Sequence, residues 1–209
     1  MKNINFIKKY GPWALLTGAS SGIGEAFASR LAAEGLNLVL AARRKNRLEA
    51  LAQKLEKQFH IKTKTIGVDL LQQNFLESIK EATDDLQIGL LVNNAGLWKM
   101  NSYMEISLED EFNMIDLNIK APSVLTHHFA EKMISRDKGG IINVASVLAY
   151  MGVPYSAVYA ATKAYELVKS EGLWYELKQH GVDVLSLNPG LTKSEMTDGY
   201  DFSHMPIVC

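Results

Sequence analysis

The sequence predicts a three-layer α/β protein, a doubly wound parallel sheet with helices on both faces, and three observations carry that expectation. Short apolar runs of strand length alternate with segments of helical periodicity from end to end. The strand-like runs are apolar on both faces, as strands buried between two layers must be. A glycine-rich turn lies between the first strand and the first helix.

Taken in order, Trp13–Leu16 reads as a buried strand, and after the turn a helix carries Ala26, Phe27 and Leu31. Gly35 ends that helix, and Leu36–Ala41 is again strand-like. From Arg47 onward Leu48, Leu51, Leu55 and Phe59 recur at helical spacing and give one core-facing stripe. Lys62–Val68 makes a third strand and Phe75–Leu86 a third helix. Ile88–Val92 and Gly140–Ala145 are further runs of strand length. Between them a long helical stretch spans about Ser107 to about Ser135, with Ser107 and Asp110 as a capping pair at its start. A last helix from about Val158 to His180 precedes the strand Val182–Leu187. No repeat, low-complexity segment or linker interrupts the series, so residues 1–209 are expected to form one domain.

Composition narrows the partners. The 209 residues are 47% hydrophobic and 22% charged, ordinary globular values. A formal charge of −1 argues against nucleic acid or an anionic membrane as the main partner, since both reward concentrated positive charge. The single cysteine, Cys209, allows no disulfide framework within one chain. Met1–Tyr10 mixes lysines with Ile4, Phe6 and Ile7 and reads as neither a signal peptide nor a membrane span. A cytoplasmic location is the expectation. His127 and His128 are adjacent, so a helix would aim them apart, and no metal site is expected.

The first strand runs into Thr17-Gly18-Ala19-Ser20-Ser21-Gly22-Ile23-Gly24 and then into a helix. There Gly18 permits the tight turn, Gly22 lets backbone approach a pyrophosphate, and Gly24 lets the helix pack closely on the strand. The helix N-terminus would present unpaired N–H groups and partial positive charge to the phosphates.

The spacing G-x-x-x-G-x-G resembles the signature turn of the classical short-chain dehydrogenase/reductase family. The resemblance continues at Asn93-Asn94-Ala95-Gly96, Asn118, Ser146, the Tyr159/Lys163 pair and Pro189-Gly190, in the family's order, from about Trp13 to Thr192. It implies a Rossmann fold, here with six strands where the family has seven, and a nicotinamide cofactor contacted at Gly18, Ser20, Ser21, Gly22, Ile23 and Gly24. It also implies cofactor contacts at Asp69 and Leu70, where similar proteins hold the adenine ring. Asn93, Ala95 and Gly96 belong to the same set, and in the family that segment stabilises the sheet as well. Asp69 could equally cap the helix that follows. Pro189, Gly190 and Thr192 resemble the family's nicotinamide loop, with Thr192 the expected contact to the carboxamide.

The end of the second strand selects the cofactor. An acid that would bind an adenosine ribose is expected about 20 residues beyond the glycines. Here the stretch reads Leu40-Ala41-Ala42-Arg43-Arg44, without Asp or Glu. An arginine pairs with a 2′-phosphate that a carboxylate would repel, so NADP(H) is expected over NAD(H), with Arg43 the first choice of ligand and Arg44 the second.

Tyr159 and Lys163 are four residues apart on an expected helix and share a face. A carbonyl receiving hydride builds negative charge on oxygen and needs a proton donor. A lysine ammonium ~4 Å from a phenol, at an effective dielectric of about 20, favours tyrosinate by up to ~4 kcal/mol, or roughly two to three pH units. Tyr155 has no lysine four residues later. Ser146 follows a strand and would lie at the carboxyl end of the sheet, where its hydroxyl could hold the substrate oxygen. Its match to the family's serine gives it that role. Asn118 is the fourth member by resemblance, holding a water that links the lysine to solvent. Pro122 cannot donate to the carbonyl of residue 118, so the helix is expected to kink there and free that carbonyl.

The chain stops soon after the nicotinamide loop, whereas family members usually continue through a substrate-covering segment, another helix and a seventh strand. Ser194–Cys209 is what remains here. The expected reaction is NADPH-dependent reduction of a carbonyl compound by hydride transfer, with Tyr159 as general acid. Leu97, Trp98, Val147, Leu148, Tyr150, Met151, Val153 and Tyr155 flank the motifs and suggest an apolar pocket for ketones, acyl chains or steroid-like molecules. General resemblance is to broad-specificity members and to ketoacyl or hydroxysteroid reductases. A homodimer or homotetramer is expected, because the two helices of the family's dimer interface are present. The alternatives are a catalytically silent NADP(H)-binding sensor or scaffold, and an NAD-linked alcohol dehydrogenase. The intact Ser146, Tyr159 and Lys163 speak against the first, and Ala42-Arg43 against the second.

Overall fold

The computed structural model describes residues 6–192 and 194–198; Cys209 and the rest of the C-terminus lie outside the described residues. In chain order the first half runs α1 (Phe6–Tyr10), β1 (Trp13–Thr17), α2 (Gly22–Ala33), β2 (Asn37–Ala42), α3 (Lys45–Phe59), β3 (Thr63–Gly67), α4 (Phe75–Thr83) and β4 (Ile88–Asn93). The second half runs α5 (Leu108–Ile115), a π-helical turn (Asp116–Lys120), α6 (Ala121–Ile134), β5 (Gly139–Val144), α7 (Ala157–Lys178) and β6 (Val182–Leu187).

Alternation along the strands decides the layers. Ala14 and Leu16 of β1, with Leu38 and Leu40 of β2, pack with Leu31 of α2 and Leu48, Leu51 and Leu55 of α3. Their neighbours Leu15, Val39 and Ala41 pack instead with Ile79 of α4, Leu125, Phe129 and Met133 of α6 and Leu177 of α7. Successive strand residues point to opposite faces, so both faces of the sheet are core, and the expected three-layer arrangement results. The strand order is β3-β2-β1-β4-β5-β6, with every pair parallel. The winding reverses between β1 and β4, which opens a crevice at the carboxyl ends of those two strands.

Two elements differ from expectation. The stretch expected as one kinked helix is three pieces. Ser107 caps α5 as expected, its Oγ accepting from the Asp110 N–H at 3.0 Å. Pro122 cannot supply the α-type bond to the carbonyl of residue 118, and the chain responds by widening one turn rather than by breaking. In the widened turn the Ala121 N–H reaches back five residues to the Asp116 carbonyl. The second difference is α1, which was not anticipated. At five residues it is too short to show periodicity, and its end is held from across the sheet by Asp183 of β6, whose carboxylate accepts from Tyr10 Oη at 2.6 Å and pairs with Lys9.

Candidate active site

The glycine turn brings three backbone segments into contact at the crevice. Gly18 and Gly22 have φ of +66° and +57°, the left-handed region that suits glycine. A Cβ on Gly24 would lie 2.2 Å from the Gly18 carbonyl oxygen, and one on Gly18 would lie 2.8 Å from Ala95 Cα. The first turn of α2 therefore rests directly on the turn, and the turn rests on the segment after β4. Asn94 fastens them: its Nδ2 donates to the carbonyls of Thr17 and Gly18 at 3.0 and 3.1 Å. The Asn94 and Ala95 N–H groups both donate to Thr17 Oγ1 at 3.1 Å.

The side chain of Asn93 is turned the other way and serves the sheet, the second role expected of that segment. It is buried and donates to Thr126 Oγ1 and Asn143 Oδ1, at 3.1 and 2.8 Å, tying β4 to β5 and α6. Sequence reasoning passed over Asn94, although alternation puts neighbouring strand residues on opposite faces and so separates the two asparagines' roles.

At the end of β2 the two arginines are placed differently. Arg43 is exposed, and among the described residues no hydrogen bond or ion pair engages it. Arg44 lies over the turn, its guanidinium donating to Ser20 Oγ and Ser21 Oγ, both at 3.0 Å. Arg44 and Arg47 also pair with Glu195. Hydrogen bonds from Arg47 and Arg44 hold the Glu195 carboxyl below the usual carboxylate range. Asp69 accepts from the Leu71 N–H at 3.1 Å, a turn bond ahead of α4 that does not cap it, and the Leu70 side chain packs in the core.

The candidate catalytic residues arrive from three elements. Ser146 follows β5, is buried, and accepts from the Leu148 N–H at 3.2 Å. Tyr159 and Lys163 share one face of α7, with Lys163 Nζ 5.7 Å from the Tyr159 ring centroid. Lys163 Nζ donates to the Val144 carbonyl of β5 at 2.8 Å, which seats this face of α7 against the strand that carries Ser146. Its second acceptor is Glu166 Oε2 at 2.7 Å, a partner that sequence reasoning missed although three residues is helical-neighbour spacing. Asn118 is wholly buried in the π turn, where its Oδ1 accepts from the Leu97 N–H at 2.8 Å. Its Nδ2 donates to the Leu97 carbonyl and to Thr162 Oγ1, at 2.9 and 3.0 Å. A Cβ on Gly96 would lie 3.4 Å from Asn118 Oδ1 and 3.7 Å from Lys163 Nζ, so these groups meet where the segment after β4 passes between them.

The remaining expected contacts line the same edge. The Pro189 carbonyl accepts from the Val147 N–H at 3.1 Å, and Gly190 is exposed. Thr192 borders a cleft with Gly22, Ile23 and Phe27 at the start of α2. Trp98 packs on Tyr159, ring centroids 5.7 Å apart. Val147, Tyr150, Met151 and Tyr155 are exposed, whereas Trp98 and Val153 are buried. Among the described residues no helix is long and apolar enough to cross a membrane.

A doubly wound sheet with a glycine cradle at its switch point defines a dinucleotide-binding oxidoreductase scaffold. The family model for short chain dehydrogenase matches residues 12–202, and the chain belongs to that family. It is 35% identical over 189 residues to a 7beta-hydroxysteroid dehydrogenase of Clostridium sardiniense, covering 90% of this chain and 72% of that one. It is 33% identical over 203 residues to the inactive hydroxysteroid dehydrogenase-like protein 1 of Homo sapiens, covering 96% and 62%. Among solved structures, a short-chain dehydrogenase from Sphingobium yanoikuyae in complex with NADPH superposes with a TM-score of 0.88 at 34% identity, covering 94% of this chain and 78% of that one. The chain spans 59% to 72% of the length of the curated relatives it matches.

Proposed function

We propose that this chain is an NADP(H)-dependent reductase that converts a carbonyl group of a largely apolar substrate to an alcohol. The observation that carries the reading is the 2.8 Å bond from Lys163 Nζ to the Val144 carbonyl, which joins the Tyr159/Lys163 face of α7 to the strand that ends at Ser146. The residues of the crevice fit a dinucleotide: Gly22 is exposed and leaves backbone open at the start of α2, and Arg44 stands over Ser20 and Ser21 where a phosphate would approach. Bound there, a reduced nicotinamide would supply the hydride for the carbonyl carbon.

The protein's own groups do the rest. The Tyr159 phenol donates its proton to the carbonyl oxygen as negative charge builds on it. The Ser146 hydroxyl donates a hydrogen bond to the same oxygen and holds it in place. The Lys163 ammonium favours the phenolate that is left behind. Asn118 keeps the π turn fastened to Leu97 and Thr162 beside the lysine, where a water-borne proton could be returned. An arginine rather than an acid after β2 favours the 2′-phosphorylated cofactor, and Arg44 is its principal ligand, with Arg43 secondary.

The exposed Val147, Tyr150, Met151 and Tyr155 favour an apolar substrate, and the relative named for 7beta-hydroxysteroids is consistent with a steroid-like or acyl ketone. Exposed Leu108, Phe112 and Val168 on α5 and α7 favour assembly as a homodimer, which sedimentation tests. The second reading is a catalytically silent NADP(H) binder, favoured by the relative that is named inactive. The two readings separate in one experiment. Tyr159→Phe keeps NADPH binding and lowers turnover in a carbonyl-reduction screen by roughly 10²-fold or more. Equal activity in the two proteins overturns the assignment of Tyr159, and no activity in either, with NADPH bound, favours the silent binder.

A further inference from the structure

Lysine, glutamate and lysine recur at three-residue spacing along α7, as Lys163, Glu166 and Lys169, running from the candidate site towards the surface. Lys163 and Glu166 are only 4% and 5% exposed and lie 2.7 Å apart. A carboxylate so deeply enclosed on an amphipathic helix is costly, and a leucine would fill the same space without that cost. The polar groups around it are specific. Its own backbone carbonyl accepts from Ser170 Oγ at 2.6 Å, and Ser170 in turn accepts from Asn143 Nδ2 of β5 at 2.8 Å. Lys169, half-buried, donates to Ser123 Oγ at 2.8 Å, and Ser123 lies 3.4 Å from the exposed Tyr165 hydroxyl.

We propose that Glu166 is a positioning residue of the proposed catalytic group: its carboxylate fixes where the Lys163 ammonium stands and how much of that positive charge reaches Tyr159. A lysine has three N–H donors. Two are taken here by acceptors that cannot move, the Val144 carbonyl of the central sheet and the Glu166 carboxylate of the same helix. The ammonium is thereby held at one place beside the Tyr159 ring, and its charge is half-compensated from the side away from the phenol. Tyr159, Lys163 and Glu166 follow one another at i, i+4 and i+7, so the phenol and the carboxylate address the ammonium from opposite ends of one stripe.

The charged groups acting on Glu166 are few. Burial pushes its carboxyl above the ordinary range, and Lys163 and Lys169 pull it back. Burial also lowers Lys169, and the Glu166 charge opposes that. From the other elements, β5 contributes the Val144 carbonyl and the Asn143 amide, and the π turn contributes the Asn118 amide, none of which titrates. Paired with Lys163 Nζ at 2.7 Å, the Glu166 carboxylate stands as the anion of this ion pair. Removing that anion leaves the Lys163 charge uncompensated and favours tyrosinate.

The inference rests on the reading of Tyr159 and Lys163 as the reacting pair, and its test needs neither substrate nor cofactor. The ionisation of Tyr159 is read as tyrosinate absorbance during a pH titration, after subtracting the same titration of Tyr159→Phe. In Glu166→Gln the midpoint moves down by about one pH unit. Glu166→Asp, whose shorter side chain withdraws from Nζ, moves it in the same direction by less, and it stands in if the Gln variant does not fold. Circular dichroism establishes that each variant is folded. An unchanged or raised midpoint in a folded variant overturns the proposal, because a carboxylate that served packing alone would not move it. NADPH fluorescence titrations of the same proteins keep the two questions apart, since failure to bind NADPH counts against the reductase reading while the Tyr159 midpoint still decides the role of Glu166.

Discussion

Arg44 and Glu195 oppose each other at the phosphate end of the crevice. The arginine bridges Ser20 and Ser21, and Glu195 lies on it as an anion that, on the proposed function, a cofactor phosphate would have to replace. Two outcomes follow at this scale. Arg44→Ala weakens NADPH binding by roughly 10- to 100-fold, the worth of a charge-assisted bond, while Arg43→Ala weakens it by less. Glu195→Gln tightens NADPH by about threefold or more and leaves NADH unchanged, because it removes a competitor for the same guanidinium. Both are read by fluorescence titration, and a larger effect of Arg43→Ala would restore the order that the sequence suggested. Which arginine lies over the turn could not be read from the chain. Adjacent arginines at a strand end look alike in sequence, and which one turns inward depends on contacts with Ser20, Ser21 and Glu195 that are 23 to 151 residues away.

At the scale of elements, the π turn and α1 show what periodicity conceals. Pro122 signalled a disturbance around residue 118, but a proline states only which bond is missing, not whether the helix bends or widens. Here it widens, and Asn118 becomes a fastener between the segment after β4 and α7. Asn118→Ala strips partners from the Leu97 N–H and carbonyl and lowers stability by about 2–4 kcal/mol in urea unfolding. The clasp of α1 on β6 is electrostatic. Burial would raise the Asp183 carboxyl, but hydrogen bonds from Lys9 and Tyr10 outweigh it and hold the group below its ordinary range. A carboxyl depressed by folding contributes stability above its unfolded value, and that contribution is lost as pH falls through the folded value. Asp183→Asn is therefore expected to cost about 0.5–1 kcal/mol at pH 7, since the pair is about half exposed, and almost nothing once the wild-type carboxyl is protonated. Urea unfolding of both proteins from pH 7 down through the acid range checks this, and a gap that does not narrow as pH falls below the ordinary carboxylate range would show that the clasp is not ionic.

At the scale of the whole molecule the parallel sheet was legible because its four inner strands, β1, β2, β4 and β5, are almost wholly buried and apolar on both faces, a pattern that few other arrangements satisfy. The glycine turn and the Tyr159/Lys163 pair were legible because their chemistry is local: a positive φ, a close approach, a helical spacing. Asn94 and Glu166 were not, since their meaning lies in the carbonyls and the ammonium that tertiary structure brings to them. The central claim is that the switch point between β1 and β4 holds a 2′-phosphorylated nicotinamide dinucleotide. Side-by-side fluorescence titration with NADPH and NADH tests it most directly. The account predicts NADPH bound about tenfold or more tighter than NADH, with the preference abolished in Arg44→Ala. Equal affinities, tighter NADH, or binding of neither would contradict it.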